Sequence, residues 1–156
     1  MSEKPTNFQV VAENRNASRE YHFLEKWEAG IVLWGTEVKS IREGRVNIRD
    51  SFVRVVKGEV FILNLHITPY SKTSARDLSL TSTRERKLLL KQSEIRALFG
   101  GLSQKGLTCV PTKLYFKRGL AKVEIALSKG KQLYDKRRDL KDRLHQREMD
   151  RARKSR

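Results

Sequence analysis

The chain has little of what catalysis, secretion or membrane insertion would require. Its 156 residues include one cysteine, Cys109, so no disulfide can form within it and a reducing cytoplasm is the compartment expected. Cys109 lies in an apolar stretch with no histidine near it in sequence, which suits a small core residue better than a reactive thiol. The three histidines, His22, His66 and His145, are far apart and show no metal-ligand spacing, so no metal or other cofactor is expected. Neither a phosphate-cradling glycine loop nor a G-x-S-x-G turn is present. Carboxylates such as Glu37 are scattered among basic residues, where solvation or pairing with Lys or Arg is the expected fate. These absences argue against an enzyme. No apolar run nears the ~20 residues that span a bilayer, and the first residues, MSEKPTNFQV, lack the apolar stretch of a signal peptide. No membrane association is expected.

What the chain does have is positive charge. Thirty-four Lys and Arg face eighteen Asp and Glu, a net +16. The closing stretch, residues 130–156, holds eleven basic and five acidic residues, so the preceding body is basic as well. Charge of one sign on both parts points to a large polyanion, and without a membrane segment nucleic acid is the better partner. The length fits one compact domain, residues 1–129, followed by a basic tail, residues 130–156.

Six segments read as strands from their β-branched and aromatic content: 8–13, 29–34, 51–56, 59–67, 107–116 and 120–127. Lys57-Gly58 and Arg118-Gly119 read as tight hairpin turns. A short helix is expected from Glu37 to Glu43, capped by Thr36 and ended by Gly44. A longer one is expected from Thr83 to Leu98, with Ser82 and Glu85 as a capping box and Gly100-Gly101 as its end. On that helix Leu88, Ile95, Phe99 and Leu102 share a face, while Leu89 and Leu90 are turned away by roughly 100° and 200°. Either the helix is buried on two sides, or one Leu beside Lys87 and Lys91 is exposed for an apolar ligand surface. Six short strands with helices as punctuation predict a mainly β fold, an OB-like antiparallel six-stranded barrel with peripheral helices.

With Arg118-Gly119 as a two-residue turn, Leu114, Phe116, Val123, Ile125 and Leu127 face the core. Tyr115 then lies opposite Lys122 on the other face, where an aromatic beside lysines suits base stacking and phosphate contact. The alternative is a covered Tyr115 and a solvated Lys122. Near the N-terminus Asn14 and Arg15 suit base edges or phosphates. Glu28 either pairs with a basic neighbour or accepts hydrogen bonds from RNA amines or hydroxyls.

Four stretches, WEAGIVLWGTEVKSIREGRVNIRDSFV, TRERKLLLKQSEI, LYFKRGLAKVEIALSKGK and YDKR, occur in an order and spacing that resemble the small protein B family, the SsrA-binding proteins of bacterial ribosome rescue. The resemblance runs from about residue 8 to 140. It implies an OB-like barrel and a protein that is not an enzyme. It implies binding to the tRNA-like domain of transfer-messenger RNA and delivery of that RNA to stalled ribosomes for trans-translation. By the same resemblance Asn14, Glu28, Leu89 and Lys122 face the RNA, and Arg15, Lys87 and Tyr115 are the candidates beside them. Gly130, Lys131, Tyr134, Asp135, Lys136 and Arg137 are the candidates for contact with the small-subunit decoding centre and mRNA channel. The tail is expected to be disordered when free and helical on the ribosome, with Asp139–Arg143 and Asp150–Lys154 as supporting pairs. A monomer is expected. The chain departs from the family pattern at Asn16, where a Lys is frequent, and at Gln132. A general RNA-binding or ribosomal protein is the other reading that composition allows.

Overall fold

The computed structural model describes residues 8–69, 82–131 and 133–154, and of residues 133–136 the backbone alone. Gln132 lies outside the described residues. Element order is β1 (Phe8–Glu13), α1 (Ala17–Glu20), β2 (Tyr21–Ile31), α2 (Gly35–Arg42), β3 (Val46–Asn47), β4 (Phe52–Val56), β5 (Glu59–Leu63), β6 (His66–Ile67), β7 (Arg86–Leu89), α3 (Gln92–Leu102), β8 (Leu107–Lys117), β9 (Leu120–Gly130) and α4 (Leu133–Lys154).

Six strands close on themselves in the order β8-β4-β5-β7-β2-β9, with β9 pairing back to β8 and every pairing antiparallel. Closure leaves the barrel without free edges. The strand number expected from the sequence is met, but the membership differs by one. β1 lies outside the ring, adding to the β8 edge beyond the place where β4 pairs. Its seat in the ring is taken by β7, within the stretch expected to be helical.

The hairpin readings hold. Lys57 and Gly58 have φ of 50° and 76°, and Arg118 and Gly119 have 53° and 78°. Positive φ at both central residues is the turn whose twist matches paired strands, and glycine enters that region without a Cβ clash. The second turn sets Leu114 opposite Val123 and Tyr115 opposite Lys122. Leu114, Phe116, Val123, Ile125 and Leu127 are buried, joined by Trp27, Ala29 and Ile31 of β2 and by Val60, Ile62 and Leu88. A bulge between Pro111 and Lys113 bends β8 so that one strand serves both β4 and β1.

The expected helix from Thr83 to Leu98 is not formed as one element. Arg86 and Leu88 are buried and Lys87 and Leu89 exposed, the period of two of a strand with one face inward. Three consecutive leucines masked that alternation, since a run of apolar residues fits either period. The helix proper, α3, buries Leu98 and half-buries Ile95 and Leu102, while Phe99 points outward. Gly101 does not end it. A Cβ there would sit 2.3 Å from Cδ2 of Leu127, so Gly101 lets the helix approach β9 closely. α2 agrees with expectation within two residues, but Trp34 rather than Thr36 precedes its first turn, and the Glu37 carboxylate accepts from the Trp34 N–H at 2.9 Å. Gly44, at φ 77°, ends it as expected.

Residues 133–154 form one uninterrupted helix, favoured by the absence of Gly and Pro and by a tether at its base. The Lys131 N–H donates to the Glu20 carbonyl at 2.8 Å, its Nζ donates to the Ser18 carbonyl at 2.9 Å, and the ammonium also pairs with Asp139. Beyond this tether Leu140 and Leu144 stay exposed.

Candidate nucleic-acid interface

Backbone register builds a lateral row on the outside of the barrel. Leu89 of β7 pairs with Gly30 of β2, Gly30 with Lys122 of β9, Lys122 with Tyr115 of β8, and Tyr115 with Val10 of β1. Strand pairs lie ~4.8 Å apart, so the row spans roughly 19 Å, about the width of a nucleic-acid duplex. Leu89 is 54% exposed, large for an aliphatic side chain with a core beside it. Gly30 shapes its position: a Cβ there would lie 3.3 Å from Cβ of Leu89. Gly30 was not a sequence candidate, although a glycine inside a strand signals a close approach.

Glu28, one alternation before Gly30, lies on the same outer face of β2. Its Oε2 accepts from the Tyr115 hydroxyl at 2.5 Å and lies 3.5 Å from Nζ of Lys117. The Tyr115 hydrogen bond, above all, draws the Glu28 carboxyl below the ordinary range; burial opposes this, and Lys117 and Lys122 add to the lowering. Burial, then the Glu28 carboxylate, push the Tyr115 hydroxyl up. Tyr115 stays a neutral donor and Glu28 an ionised acceptor held in one orientation.

This geometry corrects the reading of Tyr115 as a free stacking surface. The side chain is 4% exposed, its ring covered by Phe8 at a centroid distance of 4.7 Å. Of the two alternatives the covered one is found, with a strand residue rather than a helix as the cover. The missed signal was β1, which takes its place on β8 only once β8 is bent. Replacing Tyr115 by Phe should keep that ring contact and the melting temperature close to that of the parent chain. The Glu28 carboxyl should then titrate at higher pH, as read by carboxyl carbon NMR. Because its folded-state pKa is lowered, ionised Glu28 adds its small stabilisation above the ordinary value and loses it as pH falls through the lowered one. In the Phe variant that loss should move toward higher pH.

Asn14 is not free to meet a base edge. Its Nδ2 donates to the Pro111 carbonyl at 3.3 Å and approaches that of Arg49 at 3.5 Å, and its Oδ1 accepts from the Ala17 N–H at 3.3 Å. It ties the end of β1 to the β8 bulge, and the exposed Arg15 follows it. Lys87 shares the outer face of β7 with Leu89 as expected, and its Nζ pairs with Glu59 at 3.2 Å. Lys131 was expected to meet the ribosome, yet its side chain is 6% exposed and engaged by Ser18 and Asp139, which makes it the tether of α4. Gly130 ends β9 and Arg137 is exposed on α4. Tyr134, Asp135 and Lys136 fall in the first turns of α4, and their side chains lie outside the described residues.

Cys109 is fully buried and its thiol is pushed up to about 12 by that burial, so it packs as a neutral core residue. Among the described residues no group of His, Cys, Asp or Glu could hold a metal ion, and no helix is long and apolar enough to cross a membrane.

A closed six-stranded antiparallel barrel, basic on its outside and bearing an uncovered leucine beside lysines, is of the OB-like, RNA-binding class. Comparison with known proteins gives the family. The model of the SmpB protein matches residues 11–155. The SsrA-binding protein of Thermosynechococcus vestitus is 51% identical over 150 residues, covering 96% of this chain and 98% of that one. The SsrA-binding protein of Carboxydothermus hydrogenoformans is 52% identical over 147 residues, covering 94% and 97%. A solved chain from work described as "tmRNA-SmpB: a journey to the center of the bacterial ribosome" is 49% identical with a TM-score of 0.66, over 80% of this chain and 86% of that one. This chain belongs to the SmpB family, a family of RNA-binding proteins and not of enzymes.

Proposed function

We propose that this chain binds the tRNA-like domain of transfer-messenger RNA through the outer row of the barrel and delivers that RNA to stalled ribosomes for trans-translation. The observation that carries the reading is the alignment of Leu89, Gly30 and Lys122 in one row, with Glu28 fixed beside it. An uncovered leucine can pack on a ribose or base face, Lys122 can meet a phosphate, and an immobilised carboxylate can accept from a ribose hydroxyl or exocyclic amine. The relatives are SsrA-binding proteins by name, in agreement with this chemistry. The basic helix α4 is the part proposed to enter the mRNA channel of the small subunit, with Arg137 and its neighbours on rRNA phosphates. On this reading the chain works in the cytoplasm as a monomer.

Lys122→Ala and Leu89→Ala should each weaken binding of transfer-messenger RNA about tenfold, since burying a leucine contributes ~1.5–3 kcal/mol and a lost phosphate contact weakens binding whatever the base sequence. Melting temperatures should hardly move, because Leu89 is exposed and Lys122 only half-buried. Filter binding beside thermal unfolding checks both. A fall in melting temperature matching the loss of affinity would assign the two residues to fold maintenance.

A further inference from the structure

The β1–α1 turn and the loop after β3 meet across a cleft of about 350 Å³ lined by Asn14, Arg15, Asn16, Asn47 and Arg49 among others. Arg49 also lines the adjoining cleft toward Tyr21 and Phe52. The Asn16 amide, oriented so that its oxygen meets donors, accepts from Nε of Arg49 at 2.9 Å and from Nη2 at 2.7 Å. The same loop is held at its backbone. The Arg49 N–H donates to Oδ1 of Asn47 at 2.9 Å, and its carbonyl receives Nδ2 of Asn14 at 3.5 Å. Arg49 is exposed, and no ion pair to a carboxylate is recorded for it or for Arg15 among the described residues. An arginine held at two of its nitrogens by a neutral amide keeps its full charge and offers its remaining donors in a fixed fork. That arrangement suits a phosphate, whose geometry the fork matches bidentately.

We propose that Asn16 and Arg49 form a clamp for one backbone phosphate of the bound RNA, with Arg15 beside it. The clamp joins two segments distant in sequence, the β1–α1 turn and the loop after β3. The inference rests on the RNA-binding reading and adds a contact that the sequence did not suggest. Asn16 precedes α1 without capping it through its side chain, so its replacement removes no helix cap.

The experiment measures binding of the full chain to transfer-messenger RNA across a salt series, with Lys122→Ala as the reference. Arg49→Ala should lower the slope of log K against log salt by about 1, the signature of one lost phosphate contact. Asn16→Ala should weaken binding several-fold with the slope kept, since the charge remains but is no longer held. The double variant N16K/R49A should recover the parent slope, because a lysine at 16 puts a cation in the same cleft. If Lys122→Ala weakens binding while Arg49→Ala leaves the slope unchanged, the clamp is overturned and the barrel reading stands. If Asn16→Ala binds as the parent does, or the double variant stays at the lower slope, the clamp is likewise overturned. If neither Lys122→Ala nor Arg49→Ala has an effect, the RNA-binding reading falls with it.

Discussion

A chain ending at Gly130 should bind transfer-messenger RNA almost as tightly as the full chain and should fail to support peptide tagging on stalled ribosomes. The expected separation follows from where the two surfaces lie. The row from Leu89 to Lys122 belongs to strands whose pairing does not involve α4. α4 is tethered at Lys131 and Asp139 and otherwise leaves Leu140 and Leu144 in solvent. Removing it takes away no barrel core residue, so the barrel should remain folded. It does remove eleven of the thirty-four basic side chains, so a shallower salt dependence and a modest drop in affinity are expected. Tagging in a reconstituted stalled-ribosome assay should fall to background. If the truncated chain tags peptides, the helix has no part in ribosome engagement. If it loses RNA binding altogether, the RNA surface includes α4.

The largest effect on stability is expected from Glu37. This carboxylate is 4% exposed and pairs with Arg86, which is fully buried, at 2.5 Å, and also with Arg84. Arg86 is satisfied further by the carbonyls of Leu65 at 2.7 Å and Arg84 at 3.1 Å. Arg84 lies over the Trp34 ring at 4.0 Å, so one carboxylate joins α2, β7 and the chain between them. Burial draws the Arg86 guanidinium down, and Glu37 counters it. Glu37→Ala would leave a buried guanidinium without its counter-charge, a loss of about 3–5 kcal/mol. For a chain of this size that is roughly 6–20 °C in melting temperature. The double replacement E37L/R86L should recover much of the loss, since apolar side chains of similar volume often replace a buried pair at little cost. Thermal unfolding by circular dichroism checks both. A Glu37→Ala chain that melts with the parent would show that the pair does not hold β7 in the ring.

The parts of the fold legible in the sequence were those set by local chemistry. Two type I′ turns announced themselves as Lys57-Gly58 and Arg118-Gly119, and the second fixed the faces of β8 and β9 residue by residue. The strand β7 was not legible. Its alternation is carried by Arg86, Lys87, Leu88 and Leu89, and a buried arginine reads as polar until Glu37 is brought to it from far away in the chain. The covering of Tyr115 was hidden for the same reason, because β1 reaches β8 only beyond a bulge. At the site, residue types pointed to RNA, and the family resemblance chose Leu89 and Lys122 from alternatives that periodicity left open. Their alignment with Gly30, the fixing of Glu28 by Tyr115 and the grip of Asn16 on Arg49 all depend on contacts between distant segments. The helix-compatible spacing of the tail was legible, but its tether was not, because Lys131 reaches the backbone of α1 from far along the chain.

The central claim is that one outer row of the barrel meets the tRNA-like domain. Isotope-labelled full-length chain titrated with that domain, followed by backbone amide NMR, tests it most directly. The account predicts the largest shifts at Glu28, Gly30, Leu89 and Lys122, with little change around Phe99 on the outward side of α3. Shifts centred on α3 and Phe99, with the row unmoved, would contradict it.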